Sequence, residues 1–157
     1  MNVGGHVIVG LLTYHTVNHF FGYPTEPAGY ILAILGSLLP DIDHPQSTFG
    51  RCIPAVSRAV ARVFGHRGIT HSFIAVLAFT CLIFAVGNTF TGLPAALSMG
   101  YLSHLLADYL TRSGIPLFWP IKIKFHMPLL SFRGGGPAET IVILLCATLL
   151  ACHMVLG

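Results

Sequence analysis

The sequence predicts an all-α fold: a polytopic membrane helical bundle of about five transmembrane segments, the second one short, with an amphipathic helix on the cytoplasmic interface. Three observations carry this. Of 157 residues, 54% are hydrophobic and only 8% charged, where a soluble domain carries roughly 25% charged residues. Mean hydropathy is +0.78. The apolar residues gather into runs of helical length separated by Pro, Gly and polar clusters. The length suits a single domain over residues 1–157.

The first run, Val3 to Phe21, is long enough to span but is interrupted by His6, His15, Asn18 and His19. The second, Ala28 to Leu39, lies between Pro27 and Pro40 and is marginal for crossing. Ser72 to Val86 and Pro94 to Leu110 read as a helical hairpin, joined by a Gly/Asn/Thr turn over Gly87–Gly92. Ala138 to Leu156 is the most anchor-like run. In the connection Asp41 to His71, Ile53, Val56, Val60, Val63 and Phe64 recur at helical spacing while Arg58 and Arg62 share another face, the pattern of an interface-lying helix. The connection Thr111 to Pro137 holds Trp119, prolines and Lys122/Lys124, which suits an irregular interfacial stretch; its end, SFRGGGPAET, reads as a turn and helix start.

All eight Lys and Arg fall in these two long connections, so the positive-inside bias puts both in the cytoplasm, with the N-terminus inside. A net charge of +3 without a basic block gives no basis for nucleic-acid binding. The N-terminus lacks a basic region and cleavage site, so it is read as part of the mature chain. Cys52, Cys81, Cys146 and Cys152 form no CxxC pair, which predicts neither a disulfide framework nor a cysteine metal site.

The polar residues are more informative. With that topology, His6, the Asp41/Asp43/His44 group, His66 and His71 converge on one membrane depth with His104 and Asp108, which share a helix face four residues apart. Ionisable groups at membrane depth are functional candidates, and mixed imidazoles and carboxylates are what Zn²⁺ and similar ions accept. Each piece has a plainer reading: LLPDIDHP as a helix stop, GITHS as an N-cap, His104–Asp108 as a buried hydrogen bond. His15 and His19 fall toward the opposite face without a nearby acid, and read as interfacial solvation or a helix–helix hydrogen bond. His126 and His153 gain no role from spacing.

Together LLPDIDHPQS, HRGITHS and GYLSHLLADYLTRSGIPLFWP resemble the YdjM-like family of bacterial inner-membrane proteins, over nearly the whole chain from His6 to about Pro120. The resemblance implies a membrane-embedded, metal-dependent hydrolase whose pattern is similar to zinc-dependent phospholipase C. It also implies His6, Asp41, His71, His104 and Asp108 as ligands, and an inner-membrane location.

On this reading a divalent metal, zinc first and manganese second, as one or two ions, activates water against a phosphoester or phospholipid at the cytoplasmic interface. Asp43, two residues from Asp41, is the candidate base. His66 or His44 would serve as a further ligand or as the acid. Arg67, with Arg51, Arg58 and Arg62, is placed to clamp an anionic head group, although positive-inside topology explains the same cations equally well. The rivals are a divalent-cation transport or sensing protein using the same cluster and a metal-stapled structural protein.

Overall fold

The computed structural model describes residues 1–65, 67–87, 92–128 and 131–156. Seven α-helices are formed among these residues: α1 (Val3–Phe21), α2 (Pro27–Leu38), α3 (Thr48–Cys52), α4 (Pro54–Phe64), α5 (Phe73–Gly87), α6 (Leu93–Tyr109) and α7 (Pro137–Leu156). Two 3₁₀ turns, Leu39–Asp43 and Ile69–His71, interrupt them. Their ends follow local chemistry. The Asn2 side chain accepts from the Gly5 N–H to start α1, and Gly22 closes it with a left-handed φ of 69°. Proline opens α2, α4 and α6 within the first two positions, where its missing N–H costs nothing.

The centre of the fold is a seam of small residues between α2 and α6. A Cβ on Gly36 would stand 2.1 Å from the Leu97 carbonyl oxygen, and one on Gly100 would stand 2.2 Å from that of Ala33. The two backbones therefore touch, as in helices that associate by close packing rather than by hydrophobic drive. α1 lies across this seam with Gly10 against Ser37. α5 flanks α6, and α7 packs on α1. The 111–133 connection is irregular as expected, pinned by isolated bridges pairing Thr111 with Phe132 and Ile115 with Phe125.

The expectation of five transmembrane segments does not hold. Among the described residues one helix, α7, is long and apolar enough to cross a membrane, over Pro137–Val155. α5 is apolar only over Phe73–Val86, and α2 and α6 have 12 and 17 residues, against the roughly 20 that a bilayer requires. α1 has the length, but His6, His15 and Asn18 are buried in it. The physical reason is shared: α1 and α6 turn polar side chains toward neighbours, with Ser103, His104 and Asp108 buried on α6. The orientation obtained by counting spans loses its basis with them.

Other expectations fare differently. The amphipathic helix exists as α4, with Val56 and Val63 exposed and Ser57 buried. All four cysteines are free thiols. The Gly-rich stretch turns at Gly135 (φ 77°) into α7. Positions 88–91 of the expected hairpin turn lie outside the described residues.

Candidate metal centre

The last two turns of α6 supply His104 and Asp108, one helical turn apart and both fully buried. Around them stand His6 from the first turns of α1, Asp41 from the 3₁₀ turn after α2, and His71 from the 3₁₀ turn before α5. All five residues named by the resemblance are thus brought together, as two donor groups sharing His104: His6, His104 and Asp108, and Asp41, His71 and His104. His6 Nε2 lies 3.5 Å from Asp108 Oδ1, and His104 Nε2 lies 3.7 Å from Asp41 Oδ1 and 3.9 Å from Asp108 Oδ2. His71 Nε2 lies 3.8 Å from Asp41 Oδ1 and 3.7 Å from Asp108 Oδ2.

The outer nitrogens fix which atoms face inward. His104 Nδ1 is 2.6 Å from the Ser37 carbonyl oxygen, which can only accept, so Nδ1 carries the proton. Thr70 donates its hydroxyl proton to Asp43 and accepts from His71 Nδ1 at 3.0 Å, while Asp43 Oδ2 lies 3.3 Å from the same nitrogen. Burial, with His6 and His71 nearby, lowers His104 to about 3 against the pull of Asp41 and Asp108. Burial likewise lowers His6 to about 3, against the pull of Asp108. With its proton on Nδ1, His104 presents a lone pair at Nε2, and the Nε2 atoms of His71 and His104 face each other at 3.2 Å. A cation placed among these inward-facing atoms would meet two imidazole nitrogens and the carboxylates of Asp41 and Asp108.

The donor separations fit such a cation. Tetrahedral ligands at about 2.0 Å from zinc stand about 3.3 Å apart, close to the spacings here. Asp108 already draws positive charge: the Met1 ammonium lies 2.5 Å from Oδ1, and Arg67 Nη2 lies 2.6 Å from Oδ2 in ion-pair contact without hydrogen-bond alignment. Burial would raise this carboxyl, but the amino terminus, His104 and Arg67 together hold it down at about 2. Arg67 adopts a left-handed φ of 54°, a conformation a non-glycine keeps only where surrounding contacts fix it.

Three roles expected from the sequence change or stay open. Asp43 Oδ2 lies 3.3 Å from Nδ1, the outer nitrogen of the His71 ring, a place from which a carboxylate orients a ligand; its expected role as a base stays open. His66 lies outside the described residues. The His44 carbonyl accepts from Ser47 N–H at 2.9 Å, and its ring belongs to neither donor group.

Sequence reasoning missed several supporting groups. Tyr101 donates to the Thr70 carbonyl at 2.6 Å, and its position three residues before His104 on the same helix face was the available signal. Buried Glu139 accepts from Asn2 N–H and Gly135 N–H, each at 2.7 Å, tying the starts of α1 and α7; a Glu at the third position of a helix was its signal. Ser37 acts through its carbonyl, which no side-chain pattern reveals. Beside the centre, Arg67, Trp119, Lys122 and Lys124 line a cavity of about 240 Å³ walled by Phe64 and Pro116.

Fold and site thus define a helical protein with one described helix long and apolar enough to cross a membrane and a buried His/Asp donor cluster. The family described as YdjM inner membrane protein matches residues 1–156, and the chain belongs to this family. It is 43% identical over 114 residues to the inner membrane proteins YdjM of Escherichia coli (strain K12) and Shigella flexneri, covering 70% of this chain and 58% of each relative. The chain thus aligns with little more than half the length of those two relatives. It is also 34% identical over 151 residues to the uncharacterized protein YvsG of Bacillus subtilis (strain 168), covering 94% of this chain and 90% of that one. No solved structure matches it. Family membership supports an inner-membrane location.

Proposed function

We propose that this chain is a metal-dependent hydrolase of the inner membrane that cleaves a phosphoester, most simply one borne on a lipid. The observation that carries the reading is the convergence of five buried or part-buried donors, with the Nε2 atoms of His71 and His104 3.2 Å apart and Asp41, Asp108 and His6 around them. These five residues would hold one or two divalent ions, zinc foremost and manganese second. A bound ion of this kind supplies a hydroxide near neutral pH and polarises the phosphoryl oxygen.

The chain's own residues do the rest. Asp43 and the Ser37 carbonyl hold the His71 and His104 rings so that Nε2 faces the centre. Asp41 is the one partly exposed member of the donor set, at 19%, which marks the side from which substrate approaches. Arg67 touches Asp108 and also lines the cationic cavity, so a phosphate seated among Arg67, Lys122 and Lys124 lies next to the donors. Exposed Val63, Phe118, Ile121 and Ile123 belong to the segments that form this cavity, as suits a ligand with an apolar part. Every Lys and Arg precedes α7, so the positive-inside bias for this one anchor favours a cytoplasmic site.

The test is hydrolysis of defined lipid phosphoesters by the full chain in detergent and in proteoliposomes, with and without chelator. Activity restored by zinc or manganese and abolished in Asp108→Ala supports the reading. Metal uptake into sealed vesicles without any hydrolysis would replace it with the cation-transport alternative.

A further inference from the structure

A second imidazole cluster lies at the other end of α1, away from the donors already described. His15 and His19 project one turn apart from α1, and His153 of α7 stands between them, with ring centroids 5.6 Å from His15 and 4.9 Å from His19. The three line a cavity of about 440 Å³ with Tyr23, Thr25, Tyr30 and Met154. His15 is nine residues along α1 from His6, about 14 Å at the rise of an α-helix, so no residue is shared.

Two features set this cluster apart from ordinary packing. His15 is nine-tenths buried, its Nδ1 pairs with the Tyr30 hydroxyl at 2.5 Å, and its Nε2 is sealed from solvent with no hydrogen-bond partner. Tyr30 is itself held edge-on by Tyr14, at 4.9 Å between ring centroids. One ring nitrogen anchored by an outer partner and the other left open is the arrangement of a metal-binding histidine. His153 repeats half of it, since its Nδ1 is also buried without a partner. Among the described residues no carboxylate lines the cavity, so the donor set is nitrogen-rich, which selects Zn²⁺, Co²⁺, Ni²⁺ or Cu²⁺ over Ca²⁺ and Mg²⁺.

We infer that His15, His19 and His153 form a second metal site, specific for an imidazole-seeking divalent transition-metal ion and independent of the His104 centre. His15 is the fixed ligand. The exposed His19 ring turns inward to complete the set when the ion binds.

The experiment uses the full chain in detergent, stripped of metal and equilibrated with Co²⁺ at buffered free concentrations. Bound metal is counted by elemental analysis, and the ligand-field spectrum is recorded. In a His104→Ala background one Co²⁺ equivalent remains, and adding His19→Ala or His153→Gln weakens it by about 100-fold. Tyr30→Phe weakens it by about 10-fold, the effect of losing an outer partner. Co²⁺ absent from His104→Ala, or bound there equally well after His19→Ala and His153→Gln, overturns the inference. Should His104→Ala not fold by helical circular dichroism, the same comparison is made in otherwise wild-type protein, where His19→Ala removes one equivalent and no loss refutes the site. Failure of the hydrolase reading appears separately, as absent hydrolysis in a chain that still binds Co²⁺ here.

Discussion

Replacing Gly100 with alanine tests whether the α2–α6 seam sets the geometry of the donor cluster. The new Cβ would stand 2.2 Å from the Ala33 oxygen and 2.8 Å from the Ser37 nitrogen, where an ordinary carbon–oxygen contact is about 3.3–3.6 Å. Both obstacles are backbone, so no side chain can swing aside and the helices must part by about 1 Å. Overpacking of this kind costs about 1–3 kcal/mol, while alanine in a helix interior is favoured over glycine by about 0.8–1.0 kcal/mol. The net is a loss of up to about 2 kcal/mol. The same displacement moves the Ser37 carbonyl that orients His104 and the turn bearing Asp41, although metal sites tolerate only about 0.2 Å. Zinc affinity should therefore fall at least about tenfold, or 1.4 kcal/mol. The assay pairs denaturant unfolding in detergent with a zinc-chelator competition. The sign decides: a variant about 1 kcal/mol more stable than wild type, with unchanged zinc affinity, would refute the seam as the determinant of the site.

Four further outcomes are expected. Asp43→Asn should weaken zinc binding about 10–100-fold through loss of ligand orientation; full zinc affinity with slow turnover would instead restore Asp43 as a base. His104→Ala should lose metal from the primary centre in elemental analysis, whereas His126→Ala, altered in an exposed loop, should retain it. The double variant Lys122→Ala/Lys124→Ala should bind anionic vesicles more weakly by about 2 kcal/mol at low salt, a difference that shrinks as screening rises; equal binding at all salt concentrations would remove the cavity from substrate capture. Glu139→Ala leaves the Asn2 and Gly135 N–H groups without their acceptor, and should lower unfolding free energy by about 1–3 kcal/mol in a thermal or denaturant series.

The sequence was most legible where chemistry is local. Proline, glycine and apolar runs placed α1, α2, α4, α5, α6 and α7 to within a residue or two of their observed ends. The polar cluster was legible because a His-x-x-x-Asp pair on one helix face and acids in an otherwise acid-poor chain have few other uses, while the choice of five ligands within it came from the family resemblance. What could not be read is which surface each helix turns to which neighbour. Composition averages over faces, so α1 and α6 looked like spans although their polar residues are buried against each other. Asp43 and Asp41 are two residues apart and look equivalent in the sequence, yet the 3₁₀ turn sends one behind His71 and the other toward the donors. His153 was unreadable for the same reason, since its partners come from the opposite end of the chain.

The His/Asp centre draws its members from α1, from the turns after α2 and before α5, and from α6, so no contiguous stretch of chain contains it. Asp108 emerges during synthesis as the one carboxylate on its helix, and in the folded chain the Met1 ammonium and the Arg67 guanidinium lie against it. Until then the half-built protein carries an unneutralised charge inside its packing surface, a state that proteases and chaperones act on. Closure of the cluster therefore joins the start of the chain to α6, and with it fixes how α1, α2 and α6 sit together.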